Sequence, residues 1–570
     1  MPNNRGEWNP MDEVVDVDVE VGLDRRSFLQ RAAVTTSGAV LAGAGADLFM
    51  SAAGAVVTNG KGRDGGTKSK PKRGGTLVIG VDAEEQGFNP STGRFDTTGF
   101  MYARAVFDPL MVLTEKGGAK PYLAKAITSN KDMTIWTITL RDGIKFHDGT
   151  PLDGAALLLN IDKQYTSPLV GVALKPLIAS YRQSGPMSVE ITMKHPWAVF
   201  PYTMSDQQIS FVAAPSMLNA PDGGTAHPIG TGPFVFKEWV RNSHFTATRN
   251  QNYWRKGLPY LDAVTFKPIP DAQARGQALV TGAIDIMHVS TPRVMKQFRG
   301  NKRYSYRDNT GKMLGAPSVN CVMLNTAAAP FNDKAAREIL AYGIDRALYS
   351  RVIDLGVNEP MDGIYQPTSP LYKKTSYPKF NQGTAKKLAD AYKKKHGKAL
   401  TFTLNTVASP QTVQQASFLQ QEMKKIGVAV SVKTMQQGEL INNALFGSYQ
   451  ATTWAQFGAI SPDLNYVWWS TETASKTGLS INMARNMDNR IQKALIDGLG
   501  ARSKRAQVKA FSSINEYLAQ DKPYIFLDRV SWAIVSKPNV VNWDHSTSPD
   551  GTRCVGQGGG TFWFTQIFKT

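Results

Sequence analysis

The chain has 570 residues, of which 42% are hydrophobic and 10% aromatic. Because a single hydrophobic core stops growing beyond about 250–300 residues, this length predicts at least two domains. The formal net charge is +19, but the basic residues are scattered and form no arm or aromatic-laced stripe. We therefore expect a solvated basic surface and no nucleic-acid partner.

Two cysteines, Cys321 and Cys554, are too few to hold a chain of this size with disulfides, so a large hydrophobic core must do so. Cys321 lies in the apolar run 319–324, which predicts a buried strand. There a free thiol packs as a small apolar group, and a bridge to Cys554 is the alternative.

The N-terminal segment 1–55 resembles a twin-arginine export signal. Arg25 and Arg26 precede a weakly apolar stretch, 32–46, whose small residues make it unsuited to a stable membrane span. A small-x-small pattern then predicts cleavage after Ala55. No cysteine stands at the cleavage site, where a lipid would be attached, so we expect an exported chain without a lipid anchor. It would lie in the periplasm or another extracytoplasmic space of the cell envelope, at most peripheral to the membrane.

The mature chain begins with a linker and then a strand. Residues 56–75 are rich in Gly, Lys and Arg without periodicity, which predicts a flexible basic linker. The apolar run 76–81 predicts a buried strand. Residues 134–140 alternate apolar and Thr side chains, and we expect them to form a β-hairpin with 144–146 across the Asp-Gly turn at 142–143.

The second half of the chain alternates helical and strand patterns, which predicts an α/β layer. One helix is marked especially clearly, since Pro410 stands at its first position and Gly427 just beyond its end. Helices are predicted over 333–346, 409–426, 487–498 and 503–519, and strands over 401–404, 428–434 and 450–454.

A series of motifs follows in order along the mature chain. They are 121–124 (PYLA), 136–151 (WTITLRDGIKFHDGTP), 229–234 (IGTGPF), 330–333 (PFND), 341–346 (AYGIDR) and 521–525 (DKPYI). Together they resemble the peptide/nickel class of ABC-importer solute-binding proteins, which includes the dipeptide- and oligopeptide-binding proteins. The resemblance covers essentially everything after residue 74.

This resemblance implies an α/β, periplasmic-binding-protein-like fold of the large peptide-binding class, whose two lobes are joined by a double hinge and close over a ligand. It implies lobe I over 74–312, lobe II over 313–527 and a C-terminal return to lobe I over 528–570. The implied function is the capture of a peptide or peptide-like solute by a monomer that needs no cofactor or metal. The protein would then deliver this solute to the permease and ATPase subunits of an ABC importer.

The residues that would contact the ligand also follow from the resemblance. In dipeptide-binding relatives an aspartate and an arginine hold the charged ends of the ligand, but here Gly458 stands at the position of the aspartate and the stretch 404–409 contains no arginine. Because unpaired buried charges are costly, we expect a longer or blocked peptide, or a neutral, for example sugar-like, ligand. The candidate ligand-binding residues are Phe88, Asn89, Trp454, Gln456, Phe457, Gly458, Asp463 and Tyr466.

Two other functions remain open. Twin-arginine export often carries proteins loaded with cofactors, so an exported enzyme is one alternative. Against it, the seven histidines show no zinc-helix spacing, and neither a Cys-x-x-Cys pair, a nucleophile elbow nor a phosphate-binding loop occurs. His147, beside Asp148 in a turn, is expected to be structural. The other alternative is a sensor or scaffold that keeps the receptor fold without transport. We predict a binding protein rather than an enzyme.

Overall fold

The computed structural model describes residues 70–93, 95, 97–114, 118–168, 170–198, 200–309, 318–365, 367, 369, 371–456, 466–555, 557–558 and 560–570. The predicted signal segment 1–55, with Arg25, Arg26 and the cleavage point after Ala55, lies outside these residues. So does most of the predicted linker.

Helices separate most of the strands between residues 263 and 529, whereas the described elements after residue 521 are all strands. The strands are β1 (Thr76–Val81), β2 (Met111–Leu113), β3 (Ala119–Pro121), β4 (Ala124–Ser129), β5 (Ile135–Leu140), β6 (Ile178–Gly185), β7 (Ser188–Met193), β8 (Phe234–Val240), β9 (His244–Arg249), β10 (Ala263–Pro268), β11 (Ile286–Val289), β12 (Ser305–Asp308), β13 (Val319–Leu324), β14 (Thr401–Val407), β15 (Ala429–Met435), β16 (Ala451–Gln456), β17 (Tyr524–Arg529), β18 (Ala533–Ser536), β19 (Val540–Val541), β20 (His545–Thr547), β21 (Arg553–Val555), β22 (Gln557–Gly558), β23 (Thr561–Phe562) and β24 (Phe568–Lys569). The α-helices are α1 (Thr97–Val106), α2 (Gly154–Thr166), α3 (Val170–Leu174), α4 (Phe200–Asp206), α5 (Pro215–Leu218), α6 (Ala272–Thr281), α7 (Pro292–Phe298), α8 (Lys334–Gly343), α9 (Arg346–Val352), α10 (Gln382–His396), α11 (Pro410–Lys425), α12 (Gln437–Phe446), α13 (Tyr466–Trp469), α14 (Asn489–Leu499) and α15 (Lys504–Asp521).

Seven strands from distant parts of the chain form the sheet of the first lobe, in the order β12-β18-β11-β1-β10-β9-β8. β1 runs parallel to both of its neighbours, β10 and β11. Its alternate side chains Leu77, Ile79 and Val81 are fully buried, as expected of a strand with one face on a core. β18 pairs antiparallel with β11 and β12, so the end of the chain returns to this sheet.

The second lobe is built on a five-stranded sheet in the order β15-β14-β16-β13-β17. β14 is parallel to β15 and β16, whereas β13 is antiparallel to β16 and β17. Every residue of β13 is buried, which explains why its sequence is apolar without alternation. Cys321, in the middle of β13, is a buried free thiol, and so is Cys554 in β21.

The chain crosses between the two sheets twice, once between β12 and β13 and once between β17 and β18. Asn309, 1% exposed, joins the two crossings. Its side chain donates to the carbonyl of Val530 at 2.9 Å and accepts from the N–H of Trp532 at 2.9 Å. The two lobes are therefore joined by a double hinge whose segments are hydrogen-bonded to each other.

The predicted hairpin of 134–140 with 144–146 is wrong. β5 instead lies inside a four-stranded sheet, β4-β5-β7-β6, and pairs with β4 and β7. Residues 144–146 pair locally across the next turn, where the N–H of Phe146 donates to Thr150 O at 2.9 Å. Both neighbours of β5 were needed to bury Trp136 and Ile138, and a two-stranded ribbon cannot do so.

The single helix predicted over 333–346 is two helices. α8 ends at Gly343, where an added Cβ would lie 2.7 Å from Ile426 Cδ1. Asp345 then caps α9, and its side chain accepts from the N–H of Leu348 at 2.9 Å. A capping aspartate within a helical pattern marks a new start, because it satisfies N–H groups that have no partner inside the helix.

Candidate functional site

A cavity of about 540 Å³ lies between the two lobes. Both lobes contribute to its wall, so its shape depends on how they are set against each other. Its lining includes Asp82, Thr97, Asp271, Arg275, Thr291 and Arg293 from the first lobe, and Ile353, Leu355, Ser409, Gln411, Gln414 and Gln437 from the second.

The cavity lies where parallel strands of both sheets end. In the first lobe the segments after β1, β10 and β11 line it, and in the second lobe the segments after β14 and β15 do so. Parallel strands have their carboxyl ends at one edge of a sheet, and helices that follow them start there. This edge is where open α/β sheets bind ligands.

Capping residues set the helix starts at this edge. Asp271 accepts from the N–H of Ala274 at 2.7 Å and begins α6. Ser409 caps α11, and Pro410 takes the first helical position, where its lack of an N–H costs nothing. Local sequence therefore fixes where each helix begins, and the sheets bring these beginnings together.

Among the described residues, two hydrogen bonds cross from one lobe to the other beside the cavity. Thr291 Oγ1 donates to Gln411 Oε1 at 3.3 Å. Lys296 Nζ donates to the carbonyl of Leu355 at 2.6 Å. These contacts join the two lobes at the edge of the cavity.

Asp82 is a buried charged group at the floor of the cavity. Its carboxylate accepts from Thr98 Oγ1 at 2.8 Å and lies 3.4 Å from His288 Nδ1. Burial raises its pKa, but the adjacent His288, and next the charge of Arg275, outweigh burial and hold the pKa of Asp82 below its ordinary value. Asp82 is therefore ionised at neutral pH, with its charge compensated inside the protein.

The two predicted contacts of the first lobe are packed in its interior. Phe88 is 2% exposed, with ring centroids 4.8 Å from Trp239 and 4.9 Å from Phe245. Asn89 Nδ2 donates to Gly223 O at 2.5 Å, and its Oδ1 accepts from the N–H of Ser91 at 2.7 Å. Neither side chain is among those that line the cavity, and their contact with a ligand stays a prediction.

The predicted contacts of the second lobe lie at or near the end of β16. Trp454 and Gln456 are buried, and neither Trp454 Nε1 nor Gln456 Nε2 has a hydrogen-bond partner among the described residues. Gln456 ends β16, which is parallel to β14, so it lies at the sheet edge that faces the cavity. Tyr466 is buried; its hydroxyl donates to Glu472 Oε2 at 2.8 Å and accepts from Gln492 Nε2 at 2.9 Å. Phe457, Gly458 and Asp463 lie outside the described residues.

Sequence reasoning missed the charged lining of the first lobe, namely Asp82, Asp271, Arg275 and Arg293. Two signals were present: Asp82 directly follows the apolar run of β1, and the Thr291-Pro292 pair marks a helix start after β11. Such positions are the usual edge of an α/β sheet.

The described part of the chain contains no group of three or more His, Cys, Asp or Glu residues placed to hold a metal ion. His147 has a structural environment: its Nε2 lies 3.0 Å from the carbonyl of Gly232. Within the same described ranges, no helix is both long and apolar enough to cross a membrane.

The two-sheet architecture, the double crossing and the interlobe cavity define a solute-binding protein of the periplasmic type. Residues 118–478 match the bacterial extracellular solute-binding proteins, family 5 Middle. The chain belongs to this family.

Similar proteins include the glutathione-binding protein GsiB of Salmonella paratyphi A, which is 26% identical over 368 residues, covering 64% of this chain and 70% of that protein. Among solved structures, DppA from Helicobacter pylori in complex with the peptide STSA is 20% identical with a TM-score of 0.76, covering 87% of this chain and 98% of that one. AppA from Bacillus subtilis in complex with a nonapeptide is 22% identical with a TM-score of 0.73, covering 85% and 100%. These likenesses confirm the predicted fold class.

Proposed function

We propose that this solute-binding protein captures a peptide or peptide-like ligand in the interlobe cavity and delivers it to the permease and ATPase subunits of an ABC importer. The observation that carries the proposal is the cavity of about 540 Å³ lined by both lobes at the carboxyl ends of their parallel strands. Its volume falls in the usual range for small-molecule sites, roughly 300–1,000 Å³.

Glutamine side chains give the cavity wall a chemistry suited to peptide groups. An amide side chain both donates and accepts hydrogen bonds, so it can pair with either half of a ligand's peptide bond. Relatives named for binding glutathione or crystallised with peptides fit the same ligand class. The lining glutamines are Gln273, Gln411, Gln414, Gln436 and Gln437.

The cellular setting is part of the proposal. The signal over 1–55 exports the chain, which acts without a lipid anchor outside the cytoplasmic membrane, as a monomer and without enzymatic activity. The lobes comprise 74–312 with the return 528–570, and 313–527. The double crossing between the sheets supports two such lobes, with β17 of the second-lobe sheet running on to Arg529 before the return begins.

The proposal is tested by native mass spectrometry of the purified mature protein, followed by calorimetry with peptides of increasing length. Gln437→Trp fills the cavity at the start of α12 and should weaken binding at least 100-fold. Gln382→Trp, at the start of α10 and away from the cavity, is the matched control and should bind normally. Absence of any bound or titratable peptide, or equal binding by Gln437→Trp and wild type, would contradict the proposal.

A further inference from the structure

Arg293 places an unpaired positive charge on the wall of the interlobe cavity. It is the second residue of α7, is exposed, and lines the cavity. No acidic side chain of the described chain forms an ion pair with it. An arginine that faces a cavity without a counter-ion can bind an anionic group of a ligand.

The other charged residues of the cavity wall are already engaged within the protein. Asp82 accepts from Thr98 Oγ1 at 2.8 Å. Arg275 donates to the carbonyl of His288 at 3.1 Å. Asp271 caps α6. Of the four charged residues in the described lining, Arg293 is therefore the one that makes no hydrogen bond or ion pair within the described protein.

Two helix N-termini of the second lobe open onto the same cavity. α11 and α12 contain 16 and 10 residues, and the first residue of each lines the cavity. Gln436, which precedes α12, makes no side-chain capping bond, so N–H groups of its first turn remain available. Helix N-termini favour anions through these N–H groups and the helix dipole. Thr291, two positions before Arg293 in the sequence, donates a hydrogen bond to Gln411, the second residue of α11. The start of α11 therefore lies close to α7.

An unsatisfied hydroxyl independently points to a ligand. Thr97, the first residue of α1, lines the cavity and is only 5% exposed. Its Oγ1 has no hydrogen-bond partner among the described residues. A buried hydroxyl without a partner is costly, and an oxygen of a ligand in the cavity would satisfy it.

We propose that the ligand carries a carboxylate, and that this group binds between Arg293 and the N-termini of α11 and α12. The inference rests on the proposed function, because it names the chemistry of the ligand held in the same cavity. It places the recognising arginine on the first lobe, across from the stretch 404–409, which contains none. Because the two sides of this carboxylate site belong to different lobes, the carboxylate can contact both only when the lobes are closed. Binding it therefore stabilises the closed state.

The test uses N-acetylated tetrapeptide libraries with randomised side chains, one with free carboxylates and one with C-terminal amides, mixed in equal amounts. The mature protein is incubated with the mixture, and retained peptides are counted by mass spectrometry. Wild type should retain the acids at least tenfold over the amides. Arg293→Gln should reduce this preference at least fivefold, and Arg293→Lys should keep most of it.

Arg303→Gln is the charge-matched control, since Arg303 is exposed and lies outside the cavity lining; this variant should behave as wild type. Equal retention of acids and amides by wild type would overturn the inference while leaving peptide binding intact. A preference that survives Arg293→Gln would overturn it too. Retention of neither library would overturn the proposed function and the inference together.

Discussion

Asp354 and Asp528 are neighbouring carboxyl groups in the protein interior, where they are 1% and 0% exposed, and neither oxygen of Asp354 nor Oδ2 of Asp528 has a hydrogen-bond partner among the described residues. Asn320 Nδ2 donates to Asp528 Oδ1 at 2.7 Å. Burial, and next the charge of Asp354, raise the pKa of Asp528 well above its usual value, and burial also raises the pKa of Asp354. Two adjacent carboxyl groups cannot both ionise readily in such a place, so the pair retains a proton.

Because of this carboxyl pair, we expect the wild-type protein to lose stability as the pH rises. A carboxyl whose pKa is raised by folding contributes stability below its unfolded value, near 3.9, that is lost as the pH rises through the folded pKa. Asp528→Asn should therefore gain stability relative to wild type as the pH rises from 4 to 8, by about 1–2 kcal/mol at pH 8. Thermal unfolding across this range measures it. Asp497→Asn, an exposed control on α14, should show no such trend, and a pH-independent difference for Asp528→Asn would contradict the explanation.

Asp82 predicts the opposite dependence on pH. Since folding lowers its pKa, the stability it contributes is present above the unfolded value near 3.9 and is lost as the pH falls toward the folded pKa. Asp82→Asn removes the buried carboxylate that lies against His288 and attracts the charge of Arg275, and should cost about 3 kcal/mol at pH 7, and less at pH 3. Melting temperatures at the two pH values test this. Asp271→Asn, an exposed helix cap, is the control, because asparagine caps as well as aspartate; a penalty that grows in acid would contradict the prediction.

The two hydrogen bonds of Asn309 between the hinge segments are expected to stabilise the folded protein. Asn309→Ala removes both side-chain hydrogen bonds between the two crossing segments and leaves Val530 O and Trp532 N without these partners. The loss should destabilise the protein by about 2 kcal/mol or more in thermal unfolding. Asn301→Ala, at an exposed asparagine that accepts one local bond, should change stability by less than about 0.5 kcal/mol. Similar losses of stability in both variants would show that the hydrogen bonds of Asn309 do not stabilise the protein more than an ordinary surface bond.

The hydrogen bond of Lys296 across the two lobes is expected to stabilise their closed arrangement and so to strengthen ligand binding. Lys296→Met removes the bond from the first lobe to Leu355 O of the second. A loss of about 1 kcal/mol from the closed form should weaken binding of the co-purified ligand roughly fivefold. Calorimetry and small-angle scattering should show weaker binding and a larger radius of gyration without ligand. Lys302→Met is the exposed control, and unchanged affinity and radius for Lys296→Met would refute the role.

Elements with strong local signals were predictable from the sequence. The helix predicted over 409–426 occurs as α11, because Ser409 caps it and Pro410 fits its first position. The strand predicted over 76–81 occurs as β1. In both cases the signal is local: Ser409 and Pro410 mark the start of the helix, and the apolar run of β1 marks a buried strand although its hydrogen-bonded partners β10 and β11 are distant in sequence.

The pairing of β5 was not predictable in the same way. The turn at 142–143 is present, with Gly143 at φ 76°, but a turn does not decide which strand pairs with which. β7 begins nearly fifty residues after β5 ends and still pairs with it along its length. Burying Trp136 on a four-stranded sheet is more stabilising than a local two-stranded hairpin with 144–146.

Local patterns and ordered motifs along the chain were thus sufficient to predict an α/β solute-binding protein. Which residues line the cavity could not be predicted from these patterns. Asp82, Arg293, Ser409 and Gln437 are far apart in sequence and meet because parallel strands of two sheets end at facing edges. Whether a charge is paired also depends on these distant neighbours. The arginine that lines the cavity without a counter-ion, Arg293, therefore lies on the first lobe, whereas the arginine of dipeptide-binding relatives would correspond to the stretch 404–409.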